Sequence, residues 1–123
     1  VLNRVTGIMP EEMTETDFQH VIDCHAKAAL RVRQAGFDAV QIHAAHGYLL
    51  SQFLTPYYNR RTDRYGGTLH NRARLIYEVV AAVRRAVGED YPVMIKLNFD
   101  DFMSEGEGLT FPESLAMFEH LDT

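Results

Sequence analysis

The chain has 123 residues, 46% of them hydrophobic and 24% charged, with a formal net charge of −5. That length fits one small domain, and the acidic balance argues against a nucleic-acid surface, which needs a dense basic face. A single cysteine, Cys24, excludes an internal disulfide, and no apolar run approaches the roughly 20 residues of a membrane span.

Residues 1–13 read as irregular, with no secretion pattern at the start. Thr14 reads as an N-cap, with Asp17 three residues on in the place a capping box gives to Glu. Phe18, Val21, Ile22, His25, Ala28, Ala29, Val32 and Ala35 then recur at helical spacing. Gly36 sits where a helix usually stops. A strand is expected over residues 39–43, with Val40 and Ile42 on one face and Gln41 and His43 on the other. A long loop follows from Ala44 to about Gly67, interrupted by a short helix over Leu49–Leu54 that Pro56 ends. Thr68 caps a second long helix, whose buried stripe is Leu75, Ile76, Val79, Val80, Val83 and Val87, and Gly88 closes it. The run from Val93 to Asn98 reads as a second strand. Thr110 and Glu113 form a capping box for a third helix.

The order is helix, strand, helix, strand, helix, so the fold class is α/β with two parallel strands joined by a right-handed crossover. Two parallel strands have unpaired edges and apolar faces that need cover on both sides. A complete (β/α)₈ TIM barrel takes about 250 residues. Residues 1–123 are therefore expected to be the central part of one such barrel domain, truncated at both ends.

Chemistry is expected where the first strand ends, because active sites of α/β proteins lie at the carboxyl ends of strands. His43, His46 and Tyr48 fall within six positions there. If the chain turns after His43, both imidazoles can converge on one substrate oxygen, polarise a carbonyl or nitro group, and stabilise the anion formed as electrons arrive. Ala44 and Ala45 would leave room for a flat ligand. Tyr48 could serve as a general acid. Two other readings of His43 stay open, a hydrogen-bonded histidine packed inside a barrel and a zinc ligand. The zinc reading lacks ligands, since no His-Glu-x-x-His pattern is present. Cys24 is expected to be a small packing residue, and His25 to pack on the apolar face of its helix.

Lys96 shares strand parity with Met94 and Asn98, while Val93, Ile95 and Leu97 take the helix-facing side. An inward ammonium needs an anion, either a structural carboxylate or a ligand that acquires negative charge. The basic middle stretch reads as loop ion pairs and a solvated helix face. Within it, Arg61, Asp63, Arg72 and Arg74 are expected to form a network that stiffens the loop and supports the site.

Three stretches together resemble the old yellow enzyme family of NADH:flavin oxidoreductases: Gly36-Phe37-Asp38 through His43-Ala44-Ala45-His46-Gly47-Tyr48-Leu49-Leu50; Asn59, Arg61-Thr62-Asp63, Tyr65-Gly66-Gly67 and Asn71-Arg72; and Val93 to Asn98 with its inward cation. Pro10 to Thr14 resembles the family's lead into the first helix. The resemblance implies an FMN-binding TIM barrel that passes hydride from NADH or NADPH, through the flavin, to the β-carbon of an electron-poor alkene such as an enone. It implies a small-molecule substrate. His43 and His46 match the pair that binds the substrate's activating oxygen, and Tyr48 matches the proton donor to the α-carbon. Lys96 stands where many members carry an arginine against flavin N1 and O2; it keeps the charge and loses the planar fork. His70 replaces the family's usual Glu before Asn71-Arg72, which predicts a weakened local ion pair. An iron–sulfur cluster and FAD, found in longer members, would lie in regions outside these residues. A cytoplasmic protein is expected, and self-association is left open. The competing expectation is an inactive barrel fragment that binds no flavin and persists only by association.

Overall fold

A computed structural model describes residues 1–2 and 7–121. Residues 3–6 of the irregular lead and residues 122–123 lie outside the described residues. The elements are α1 (Glu15–Gln34), β1 (Val40–Ala44), α2 (Leu49–Leu54), α3 (Leu69–Val87), β2 (Val93–Leu97) and α4 (Phe111–Leu121). Among the described residues no helix is long and apolar enough to cross a membrane.

The caps form as the sequence pattern requires. The Thr14 hydroxyl accepts from the Asp17 amide, and the Asp17 carboxylate accepts the Thr14 amide at 2.7 Å. Those bonds from Thr14 hold the Asp17 carboxyl below its ordinary range. Phe18, Ile22 and Ala29 of α1 are buried. His25 is half-buried, with Nδ1 2.8 Å from the Val21 carbonyl. Cys24 departs from expectation. It falls between the apolar positions of α1 and is exposed, so it does no packing.

The helices α1 and α3 pack against each other and cover one side of the sheet. Leu75, Ile76, Val79 and Val83 of α3, all essentially solvent-free, belong to the core shared with Phe18, Ile22 and Ala29 of α1. Phe18 stacks on Tyr65 at 3.8 Å between ring centroids and meets Phe53 edge-on at 5.5 Å. The Tyr65 hydroxyl donates to Glu78 at 2.8 Å. Burial, reinforced by that carboxylate, pushes the Tyr65 phenol up to about 12.

The two strands pair in parallel, with Val40 opposite Val93, Ile42 opposite Ile95, and His43 opposite Lys96. Ile42 and Ala44 are buried on the helix side, where Ile95 and Leu97 are half-buried. Gln41, His43, Met94 and Lys96 are exposed on the other side.

The arginines of the long connection do not form one network. Arg72 is buried and makes its own hub. Its Nε donates to the Leu54 carbonyl at 2.7 Å, Nη1 to the Gly67 carbonyl at 2.9 Å, and Nη2 to Glu113 at 2.6 Å. It thereby ties the end of α2, the glycine turn and the first turn of α4 together. Arg61 instead grips Asp63, ion-pairs with Glu12 at 3.0 Å, and donates to the Met13 carbonyl at 3.0 Å. Arg74 donates to the Arg64 carbonyl at 2.7 Å. The solvated reading of the basic stretch therefore fails at Arg72. Gly66 is required here, because a Cβ would lie 2.1 Å from the Arg61 carbonyl oxygen. His70 is exposed and meets the rings of Tyr77 and His120 at 5.7 and 5.2 Å; Arg72 finds its carboxylate on α4 instead.

Arg72→Leu is expected to cost about 3–5 kcal/mol, the range for a buried pair broken from one side, read as a fall in the urea unfolding midpoint of the intact protein. A second expectation concerns acid. The hydrogen bonds from Arg61 hold the Asp63 carboxyl below its ordinary range. Its folded pKa is thus lower than its unfolded one, so the ionised form favours the fold. That contribution is complete above about pH 4 and is lost as pH falls through the depressed value. Asp63→Asn should shrink the drop in melting temperature between pH 6 and pH 3.

Candidate functional site

The candidate site is built on the carboxyl ends of β1 and β2. His43 occupies the fourth position of β1 on the side away from the helices, and Lys96 faces it directly from β2. The strand then ends, and the chain turns through two successive residues with positive φ, His46 at 61° and Gly47 at 73°. Two left-handed residues reverse the backbone far more sharply than strand geometry allows. Strand parity therefore stops governing His46. Its ring returns to 5.1 Å from that of His43, edge to face. Tyr48 is the N-cap residue of α2, and its ring lies 5.3 Å from His43. The phenol is 63% exposed.

The turn is held from both sides. The Gly47 amide donates to Ser51 Oγ at 3.0 Å, and Gln52 Nε2 donates to the Gly47 carbonyl at 2.6 Å. Across the sheet, the His46 amide donates to Asn98 Oδ1 at 2.9 Å. Asn98 Nδ2 donates in turn to Asp101 Oδ1 at 2.9 Å. Sequence reading missed Ser51, Gln52, Asn98 and Asp101 as parts of the site. The available signal was a polar residue, Asn98, placed just past the end of β2 on the same parity as Lys96.

His43, His46 and Tyr48 are thus brought together, and Lys96 shares the face of His43 by register. Ala44 and Ala45 do something different from what their size suggested. Both are fully buried, so their small methyls do not clear a path for a ligand, and that of Ala44 joins the core on the helix side. Among the described residues no carboxylate lies within ion-pair distance of Lys96. The structural ion pair that could have explained it is not made there. Nor does any group of three or more His, Cys, Asp and Glu among the described residues offer a metal ligand set.

The site is an open face. Two concave surfaces among the described residues do not include His43, His46, Tyr48 or Lys96, one of about 270 Å³ beside Met13, Gln52 and Arg61, and one of about 500 Å³ along Tyr77, Val93 and Ile95. A planar, electron-accepting group laid on the open side would meet a cation that no described carboxylate pairs, and two adjacent imidazoles. That donor set suits a flavin ring, which gathers negative charge when reduced.

A barrel segment presenting such groups at its strand ends defines a class, the flavin-dependent oxidoreductases. The model of the NADH:flavin oxidoreductase / NADH oxidase family matches residues 3–122, and the chain belongs to that family, whose members use FMN with NAD(P)H. It is 52% identical over 101 residues to a metal reductase of Desulforamulus reducens, covering 82% of this chain and 15% of that one. It is 42% identical over 101 residues to an NADPH dehydrogenase of Clostridium acetobutylicum, covering 82% of this chain and 30% of the relative. Among solved structures, a 2-naphthoyl-CoA reductase superposes with a TM-score of 0.91 at 33% identity, over 99% of this chain and 18% of that one. Morphinone reductase superposes with a TM-score of 0.69 at 41% identity, over 74% of this chain and 24% of its own. The fold is accordingly an α/β segment of a TIM barrel. The chain spans 15 to 30% of the length of these curated relatives.

Proposed function

We propose that this chain is the central, substrate-facing part of a single FMN-binding barrel domain that reduces electron-poor alkenes of the enone, enoate or dienoate type. The observation that carries the reading is the convergence of His43, His46 and Tyr48 on the open side of β1, 5.1 and 5.3 Å apart ring to ring. Two solved relatives are named as reductases, of morphinone and of 2-naphthoyl-CoA, which fits that reaction class.

When bound, FMN supplies two-electron hydride chemistry, reloaded by NADH or NADPH. The chain's own residues do the rest. One ring N–H from each of His43 and His46 donates to the oxygen of the substrate's carbonyl or nitro group. This orients the alkene and draws electron density from its β-carbon. As the β-carbon gains a hydride, charge develops on that same oxygen, where the two donors already point. Tyr48 holds a proton on the same side and gives it to the α-carbon. Lys96, in register with His43, would hold a bound flavin and supply positive charge to it on reduction. It does so as a point charge, without the two-pronged geometry of an arginine.

The same geometry supports a companion reading of the isolated chain. Met94 on the site face is 48% exposed and Phe99 beyond β2 is 57% exposed, so 123 residues alone leave a ligand open to water on most sides. Purified alone, they should be colourless, without flavin absorbance.

The test of the reaction uses the full-length flavoprotein, reduced with NADH under nitrogen and mixed with cyclohexenone. Rapid reoxidation of the flavin is expected, and none would remove the proposed activity. Tyr48→Phe should slow that reoxidation by roughly 10²- to 10⁴-fold, the range for a lost general acid; an unchanged rate would assign the proton to another group.

A further inference from the structure

The least favourable backbone conformation at the site belongs to His46, a non-glycine residue at φ 61°. Something must hold it there, because left-handed geometry is sparsely populated by L-residues. The groups that hold its amide lie just past the end of the other strand. Asn98 Oδ1 accepts the His46 amide at 2.9 Å, and Asn98 Nδ2 donates to Asp101 at 2.9 Å. The carboxylate makes this arrangement one-way. It can only accept, so a flipped Asn98 would set its oxygen against Asp101 and its NH₂ against the His46 N–H. Asp101 is itself fixed. Its Oδ2 accepts from Thr55 Oγ1 at 2.6 Å and from the Leu109 amide at 2.9 Å, and its own amide donates to the Leu109 carbonyl at 2.8 Å. Thr55 is the C-cap of α2, the short helix that begins beside Tyr48.

The geometry points to Asn98 and Asp101 as positioning residues for substrate recognition: a clamp from the segment after β2 that sets the turn at His46 and so aims its imidazole toward His43. Neither side chain needs to touch substrate. Their role is to fix the angle between two donors whose joint bond to one oxygen depends on it. The clamp also couples the two halves of the face. Asn98 lies two residues beyond Lys96, so whatever moves the end of β2 moves the histidine pair as well. This inference rests on the alkene-reductase reading, since it assigns the imidazole pair to the substrate's oxygen.

Two measurements on the full-length flavin-loaded enzyme test it. Hydrogen-exchange mass spectrometry reports on the segment 44–50, and steady-state kinetics with cyclohexenone reports KM and kcat. Asn98→Ala should speed exchange in that segment and raise KM roughly tenfold, the effect of one lost hydrogen bond in the recognition step. Flavin content and flavin reduction by NADH serve as internal references. Asp101→Asn, which keeps shape and removes the acceptor-only constraint, should give the same pattern more weakly. Faster exchange with an unchanged KM overturns the inference. So does a parallel loss of flavin, melting temperature and both half-reactions, which would mark Asn98 as merely structural. A wild-type enzyme that takes hydride from NADH yet never reduces the enone would instead overturn the alkene-reductase reading, and this inference with it.

Discussion

The parallel pairing of Ile42 with Ile95 and of His43 with Lys96 decides what each side of the sheet can do. Side chains alternate along a strand, so a slip of one residue would exchange the two faces completely. The apolar members hold the register. Ile42 is 4% exposed and Ala44 fully buried against the helices. Burying an isoleucine side chain is worth roughly 1.5–3 kcal/mol, and turning it to water while placing a histidine in the core would forfeit that and add a polar desolvation cost. His43 and Lys96 therefore face away from the helices because their neighbours must face them. The placement of the charged groups is a by-product of core formation, and no interaction of their own is needed to fix it.

The turn that follows has a different logic. A left-handed L-residue costs roughly 1–2 kcal/mol, and His46 takes that conformation immediately before Gly47, which takes it freely. Bonds from Ser51, Gln52 and Asn98 surround the two residues. Each contributes about 1 kcal/mol net, enough together to offset the strain. The strained position carries a candidate functional side chain, and the unstrained glycine carries the sharp reversal. An ordinary strand end would have sent the ring of His46 elsewhere.

Legibility in the sequence follows from range. Caps and helical stripes are local, and so α1, β1, α2, α3 and β2 lie within a residue or so of where Thr14, Gly36, Pro56, Thr68 and Gly88 suggested. The parity of Lys96 was equally readable, because alternation needs only its own strand. The errors arose where partners are distant. Asn98 meets His46 across 52 residues, and Arg72 meets Glu113 across 41. No spacing rule reports such pairs. Three arginines and an aspartate close in sequence looked like one network and are instead three separate hubs: Arg61 on Asp63 and the lead into α1, Arg72 between α2 and α4, and Arg74 on the Arg64 carbonyl. Ala44 and Ala45 misled for a related reason. Small residues near a site can clear space for a ligand or fit a tight core, and only the third dimension distinguishes the two.

Electrostatics gives the open face its remaining meaning. Two unit charges 4 Å apart interact by about 1 kcal/mol in water and about 4 kcal/mol at the effective dielectric of a protein surface. On the proposed reading, Lys96 and the two imidazoles act on charge that exists only briefly, during reduction. Surrounded by solvent, they would compete with water dipoles that reorient to do the same. The residues described here supply direction: two donors at a fixed angle, a phenol beside them, and a cation in register. They do not supply the dry surroundings that make direction valuable. On the same reading, those walls belong to parts of a barrel that the relatives have outside the 15 to 30% of their length matched here. The angle between the donors, by contrast, is on the proposed reading set within these residues, through Asn98, Asp101 and the buried apolar rows. Closing the barrel would therefore strengthen an arrangement already aimed, without having to create it.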